Sequence, residues 1–218
     1  MDKILLIDKP SGMTSFGVVA RVRRVLSEQA GKKIKVGHTG TLDPFATGLL
    51  ILLTGKNTKR SDEFLKLDKV YEAEFVLGKV STTGDPEGEL SDVSRDVPSV
   101  HDVAEAVGSF IGKISQRPPV YSAIKVGGRR AYELARRGEV VEIPERQVEI
   151  FAIDILSYDY PSLRIRTHVS SGTYIRTLTE DIGARLGTGA YCRELRRTMV
   201  AEHNVEQAQT LDSLGILS

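Results

Sequence analysis

The chain has 218 residues, 40% apolar and 27% charged, with a formal net charge of +1. That size and balance fit one globular domain, or one with an embedded insertion, and exclude a disordered chain. The single cysteine, Cys192, excludes an internal disulfide framework and any zinc site built on several cysteines, and points to a reduced, cytoplasmic setting.

Ile4–Asp8 reads as a short strand, too brief and too soon acidic for a signal peptide, ended by the turn signal Lys9-Pro10-Ser11-Gly12. Thr14 or Ser15 caps a helix predicted over about 16–28, with Val18, Val19, Val22, Val25 and Leu26 on one face. Gly31–Lys35 is a basic loop, and Leu49–Leu53 a continuous apolar strand. Residues 57–68 read as a short amphipathic helix, and Val70–Leu77 alternates as a half-buried strand. Thr82–Leu90, rich in Gly, Asp and Pro, is a loop. Val100–Ile111 suits a helix with Val103, Val107 and Phe110 as its core stripe. Lys113–Gly128 reads as loop, and 129–137 as a short basic helix ended by Gly138. Val140–Ile143, Val148–Tyr158 and Leu163–Val169 are predicted strands, Thr173–Leu186 a helix, and Arg193–Thr198 the start of another strand. The tail, about 204–218, has a helical pattern. Strands in neighbouring runs with interspersed helices indicate an α+β domain, not a regular βαβ alternation. No run approaches the roughly 20 apolar residues of a membrane span.

The net charge is informative only when divided. Residues 1–60 carry 11 basic and 4 acidic side chains, 61–110 carry 4 and 12, and 111–137 carry 7 and 1. Residues 138–163 carry 1 and 6, 164–200 carry 7 and 3, and 201–218 carry none and 3. Basic blocks that converge in space make a face suited to a polyanion, and blocks that stay apart are ordinary solvated surface. The 111–137 block interleaves charge with Tyr121, Tyr132 and Pro118-Pro119.

The most distinctive stretch is Gly37-His38-Thr39-Gly40-Thr41-Leu42-Asp43-Pro44-Phe45-Ala46-Thr47-Gly48. It places one carboxylate, Asp43, on a shaped loop at the mouth of an apolar strand, and Pro44 biases Asp43 toward an extended conformation. Two readings are open from these residues alone: a reacting carboxylate, or a β-turn in which Asp43 bonds the backbone. No dinucleotide-binding or phosphate-binding glycine loop occurs, no His-Glu-x-x-His and no Gly-x-Ser-x-Gly. The four histidines show no ligand spacing. Chemistry carried by side chains, with no cofactor and no metal, is the expectation.

Further segments resist explanation as scaffold. They are Lys69-Val70-Tyr71, the run Arg117-Pro118-Pro119-Val120-Tyr121-Ser122-Ala123-Ile124-Lys125-Val126-Gly127-Gly128-Arg129-Arg130-Ala131-Tyr132-Glu133, Ser171-Gly172-Thr173-Tyr174-Ile175-Arg176-Thr177-Leu178, and Glu194-Leu195-Arg196-Arg197-Thr198. With Lys9-Pro10-Ser11-Gly12 and Gly37–Gly48 they make six separated motifs in one order, and together they closely resemble the bacterial tRNA pseudouridine-55 synthase family, the TruB type, from about residue 3 to about 212.

The resemblance implies a pseudouridine synthase fold: a mixed, mostly antiparallel central sheet flanked by helices and loops, with a thumb insertion at about 113–145. It implies isomerisation of uridine-55 in the T-arm loop of tRNA by base flipping, cleavage at C1′ and rejoining through C5, without cofactor. Asp43 matches the essential aspartate, Tyr71 the aromatic lying against the target base, and Arg176 the arginine that pairs with that aspartate. Tyr174 and Leu195 match residues lining the uracil pocket, and His38 one beside the flipped nucleotide. Lys9 and Pro10 match the motif that braces the active-site loop, while Arg129 and Arg130 belong to the thumb that closes on the RNA. The expected partner is the tRNA T-arm, with no membrane, no obligatory protein partner and no guide RNA, and the expected state is a monomer. The family commonly carries a C-terminal domain of the PUA type. Residues 1–218 are expected to be the catalytic domain alone, as a natural short form or a truncated one. Two other classes compete: an RNA-binding module that retains the scaffold without catalysis, and a glycosidase. The latter is disfavoured because such hydrolases commonly use two carboxylates and no second acid has a comparable setting.

Overall fold

The computed structural model describes residues 2–122, 124–126, 128–131, 137 and 143–216. In chain order its elements begin with β1 (Ile4–Lys9), α1 (Ser15–Ala30), β2 (Val36–His38), β3 (Thr47–Thr54), α2 (Ser61–Leu65) and β4 (Lys69–Leu77). The chain continues through β5 (Lys79–Ser81), β6 (Leu90–Asp92), α3 (Val100–Gly108), β7 (Gly112–Gln116), β8 (Lys125–Val126) and β9 (Arg129–Arg130). It closes with β10 (Arg146–Asp159), β11 (Ser162–Val169), α4 (Ile175–Arg185), β12 (Ala190–Val200) and β13 (His203–Asn204). Among the described residues the strand pairings are mixed and mostly antiparallel, as the α+β reading expects. The chain divides into two compact units, Met1–Glu72 with Leu195–Ser218, and Ala73–Glu194. Among the described residues no helix is long and apolar enough to cross a membrane.

In the first unit β3 is the organising strand. Its residues Leu49–Leu53 are fully buried, which is why the sequence reads there as an unbroken apolar run. One edge of β3 takes β1 antiparallel, from Ile4↔Leu53 to Lys9↔Gly48. Its other edge is shared. β2 covers Leu52–Thr54 antiparallel and β12 covers Thr47–Gly48 in parallel. The segment between β2 and β3 carries Asp43 and therefore leaves and re-enters one strand edge. α1 is capped by Thr14, whose Oγ1 accepts from the Gly17 amide, and it ends at Gly31 in the left-handed region (φ 63°). It buries Val18, Val19 and Val22.

The parallel β3–β12 contact demands glycine at 48. A Cβ there would lie 2.3 Å from the Arg197 carbonyl oxygen, and Gly48 has φ 100°. Backbone cannot yield as a flexible side chain can, so Gly48→Ala is expected to cost about 3 kcal/mol from strain and overlap together. A thermal melt followed by circular dichroism should fall by roughly 6–12 °C. A wild-type melting temperature would refute the close crossing.

In the second unit β10 pairs with β11 and with β7, both antiparallel. α3 carries a capping box in which Ser99 and Asp102 bond reciprocally, and it buries Val103 and Val107 as expected.

The fold corrects several local expectations. Residues 57–68 are not one helix: a 3-10 turn, Gly55–Arg60, precedes α2, and Leu65 is exposed while Phe64 is buried. β4 is buried on both faces over Ala73–Leu77, so its alternation fails where Glu74 goes inside to meet Arg193. Lys113–Gly128 contains β7, whose partner β10 lies some thirty residues on and is invisible to local periodicity. Arg129–Arg130 is a strand paired with Lys125–Val126, not the start of a helix, and 132–136 lie outside the described residues. The Val140–Ile143 strand falls largely outside them too, and Ile143 is not in a strand. The tail forms β13 and short 3-10 turns instead of a helix, its main chain tied to β1 by the Gln209 amide donating to Leu6 O at 2.9 Å.

Candidate active site

The Asp43 loop is held rigid by its main chain. Lys9 is fully buried at the end of β1, and its Nζ donates to the carbonyls of Pro10 (2.8 Å), Met13 (2.6 Å) and Pro44 (3.2 Å). One ammonium thus ties the turn after β1 to the residue that follows Asp43. The Gly12 amide donates to Pro44 O at 2.9 Å, and the Ser11 hydroxyl to Phe45 O at 3.0 Å. Buried Ser15 bonds both main-chain groups of Leu42, accepting from its amide at 2.8 Å and donating to its carbonyl at 2.9 Å. The Ala46 amide donates to Asp43 O at 3.2 Å, closing a β-turn through the main chain. The turn reading and the reacting-carboxylate reading are therefore compatible: the backbone makes the turn, and the half-buried Asp43 side chain is carried on it.

A second buried cation holds the loop from β12. Arg197, 2% exposed, donates from Nε to Leu49 O (2.8 Å) and from Nη2 to Gly40 O (3.1 Å). Its neighbour Arg196 forms a bidentate pair with Asp8 at 3.0 and 2.7 Å, and the bonds to that carboxylate push the guanidinium pKa up. Sequence reasoning places Arg197 within a motif without giving it a role. The signal available is an arginine in a run that otherwise reads as a buried strand.

The remaining expected residues of this unit lie on strands. His38 ends β2 opposite Leu52 and starts the segment that leads to Asp43. Tyr71 is buried on β4 and Leu195 on β12. The Thr198 hydroxyl donates to Val70 O at 3.3 Å, tying these two strands together beside Tyr71.

Lys69, also buried, donates to Leu65 O at 2.9 Å and to Leu67 O. Burial and the nearby Arg197 charge, partly offset by Asp68, push its pKa down to about 8. The unfolded chain therefore binds more protons than the folded one between about pH 8 and the ordinary lysine value of 10.5. Stability contributed by this group rises with pH across that window. Urea midpoints measured from pH 7 to pH 10 should rise for the wild type relative to Lys69→Met. Parallel curves for the two proteins would rule this out.

The second unit carries two of the expected residues, Tyr174 and Arg176, and the latter lies in a buried ion pair. Arg176 and Asp85 approach to 3.2 Å with side chains only 4% and 5% exposed. Arg176 also donates to Thr83 O and Tyr121 O, both at 2.8 Å. The other Asp85 oxygen accepts from the Thr83 hydroxyl (2.6 Å) and the Glu87 amide (3.0 Å). The Gly/Asp/Pro-rich loop therefore reads correctly as loop, but it is packed onto the start of α4 and fixes where the guanidinium points. Asp85 escapes sequence reasoning because an acid in a turn-rich stretch looks like any turn residue.

Tyr174, the cap residue of α4, is locked by Gln116. The Tyr174 amide donates to Gln116 Oε1 at 2.8 Å, and Gln116 Nε2 donates to Tyr174 O at 3.0 Å. The Arg146 guanidinium covers the Tyr174 ring at 4.8 Å from its centroid. Gln116 lies in a stretch that reads as loop, and nothing in its local sequence signals this part. Pro10 lies in the turn braced by Lys9. Arg129 is exposed on β9, and Arg130 belongs to the same strand. Among the described residues no group of three or more His, Cys, Asp or Glu side chains is arranged to hold a metal ion.

Comparison with known proteins connects these observations. Residues 23–175 match the family described as TruB family pseudouridylate synthase (N terminal domain), and 176–216 match the tRNA pseudouridylate synthase B C-terminal domain. A tRNA pseudouridine synthase B of Cupriavidus metallidurans is 48% identical over 214 residues, covering 97% of this chain and 66% of that protein. The enzyme of the same name from Clostridium acetobutylicum is 45% identical over 215 residues, covering 99% of this chain and 73% of its own length. In the crystal structure of a Cbf5–Nop10–Gar1 complex one chain superposes with a TM-score of 0.73 at 31% identity, across 96% of this chain and 52% of that one. The chain thus spans about two thirds of the length of such curated relatives and about half of that structural neighbour. With both matches running in order across its sequence and the fold in agreement, the chain belongs to the TruB family of pseudouridylate synthases.

Proposed function

We propose that this protein converts uridine-55 in the T-arm loop of tRNA to pseudouridine, with Asp43 as the reacting carboxylate. The observation that carries this reading is the anchoring of the Asp43 loop in a chain of this family: Lys9, Ser15 and Arg197 fix the main chain on both sides of one acid. Preorganisation of that kind serves a group that must meet a reacting atom within a fraction of an ångström.

The reaction is an isomerisation. The N1–C1′ bond breaks, the uracil turns, a C5–C1′ bond forms, and the proton lost from C5 is balanced by one gained at N1. Atoms and electrons balance within the substrate, so no redox partner is consumed. An ionised carboxylate at the ribose supplies what the cleavage step needs: a nucleophile, or a base, beside a developing positive charge at C1′. A base inside a folded RNA loop must leave its stack before C1′ is accessible. We assign Tyr71 to the stacking face for the flipped base, where such contacts are worth roughly 1–3 kcal/mol by alanine substitution. We assign His38 to the flipped nucleotide, and Leu195 to an apolar wall for the uracil.

From the second unit we assign Tyr174 and Arg176 to substrate binding, their positions supported by Gln116 and Asp85. Lys9 and Pro10 brace the loop, and Arg129 and Arg130 meet RNA phosphates. The tRNA is the partner, and the protein acts alone and as a monomer.

Incubating the protein with an unmodified tRNA transcript and mapping pseudouridine tests the proposal. Product at position 55, and none in a transcript carrying cytidine there, is the expected result. Binding without product would make the chain an RNA-binding module, and release of free uracil would make it a glycosidase.

A further inference from the structure

We propose that five lysines of the first unit form a docking surface for RNA phosphates remote from the reacting nucleotide; this rests on the tRNA-modifying reading above. Two segments build it, the loop that follows α1 and the 3-10 turn Gly55–Arg60 that follows β3.

The loop is rigid although it is basic. Its entry is fixed by the left-handed Gly31, by the Lys32 amide donating to Ser27 O at 3.2 Å, and by the Ile34 amide donating to Ser27 Oγ at 3.0 Å. Ile34 is buried, so Lys32, Lys33 and Lys35 on either side of it face solvent. The Gly55 amide then donates to Lys35 O at 2.8 Å, which fastens the 3-10 turn against the loop. A 3-10 helix repeats every three residues, so Lys56 and Lys59 project from one edge, and both are exposed. The turn is closed internally by the Thr58 hydroxyl on Gly55 O at 2.8 Å.

Among the described residues none of these five lysines forms an ion pair, whereas Arg60 beside them is paired with Glu63. Asp2 accepts from the Lys56 main-chain amide at 2.7 Å. Like charges gathered on an ordered surface repel one another, and a polyanion relieves that repulsion while releasing its own counterions. Place decides what part of an RNA they meet. The lysines cluster at the Thr54 end of β3, and the Asp43 loop joins its Thr47 end. The 8 residues of β3 separate these ends by roughly 23 Å at strand rise. The surface therefore takes backbone further along the same RNA, adding affinity without touching the chemistry.

The test compares the wild type with a variant carrying Lys32→Gln, Lys33→Gln, Lys35→Gln, Lys56→Gln and Lys59→Gln. Kd for a full-length unmodified tRNA transcript is measured from 50 to 300 mM KCl, and kcat at saturating tRNA. The expected variant binds at least tenfold more weakly. Its plot of log affinity against log salt is less steep by about 3 to 4, near 0.9 for each phosphate that is no longer neutralised, and its kcat is unchanged. Identical slopes and affinities would overturn the inference while leaving the proposed activity in place. Wild-type binding to vesicles of phosphatidylglycerol and phosphatidylcholine that the variant loses, with tRNA binding unaltered, would also overturn it in favour of a membrane surface. Lysine-dependent tRNA binding without any pseudouridine would uphold it and refute the activity.

Discussion

Asp43→Asn is expected to lower pseudouridine formation by about a thousandfold or more, the scale of losing a group that acts directly on the reacting atoms. Asparagine keeps the shape of the side chain. The anchoring bonds at Leu42, Pro44 and Phe45 all use main-chain atoms, so the loop should hold its course. Kd for tRNA should stay within about threefold of wild type, because phosphate contacts and base stacking, not one carboxylate, dominate affinity for RNA. Single-turnover assays with saturating enzyme separate the two effects. Full activity in the variant would remove Asp43 from the chemistry. A variant that neither binds nor reacts would make it a structural residue.

The second large effect concerns stability. Asp85→Asn should destabilise the protein by about 1.5–3 kcal/mol, the scale of a hydrogen bond to a charged group, because the buried carboxylate that Arg176, the Thr83 hydroxyl and the Glu87 amide all meet is lost. The amide would turn hydrogens toward the Arg176 guanidinium where an oxygen now stands 3.2 Å away. Urea denaturation of Asp85→Asn, Arg176→Met and the double variant supplies the check. Residues in direct contact couple by about 0.5–3 kcal/mol, so the double variant should be more stable than the sum of the singles predicts. Strict additivity would show that the pair is energetically idle. The same variants should lose turnover beyond what their stability explains, since the Thr83–Asp85 loop aims the guanidinium assigned to the substrate.

What can be read from the sequence depends on how far apart the partners lie. The cap Thr14, the apolar run of β3 and the heart of α3 are legible because the causes are local: a hydroxyl three residues from the amide it accepts from, an unbroken run of apolar side chains, and apolar side chains repeating every 3.6 residues. β7 is not legible, because its ladder partner is thirty residues away and only the finished sheet supplies it. Glu74 breaks the pattern of β4 for the same reason. Its burial is tolerable because the Ser162 hydroxyl and the Arg193 guanidinium both donate to its carboxylate, and nothing within the strand announces either.

The candidate site divides in the same way. The segments of Asp43, Tyr71, Tyr174, Arg176 and Leu195 stand out in the sequence through the family resemblance that their motifs carry in one order, not through any period or spacing within them. The residue types and their order suffice to predict an α+β domain without a membrane-spanning run. Only the tertiary structure assigns the supports: Lys9 and Arg197 gripping main-chain carbonyls of the Asp43 loop, Gln116 locking Tyr174, and Asp85 holding Arg176. The physical reason is that a supporting bond to a carbonyl can come from any donor that reaches it, so its sequence carries no signature. Which donor reaches is decided by strand pairing across more than a hundred residues, as between Arg197 and Leu49.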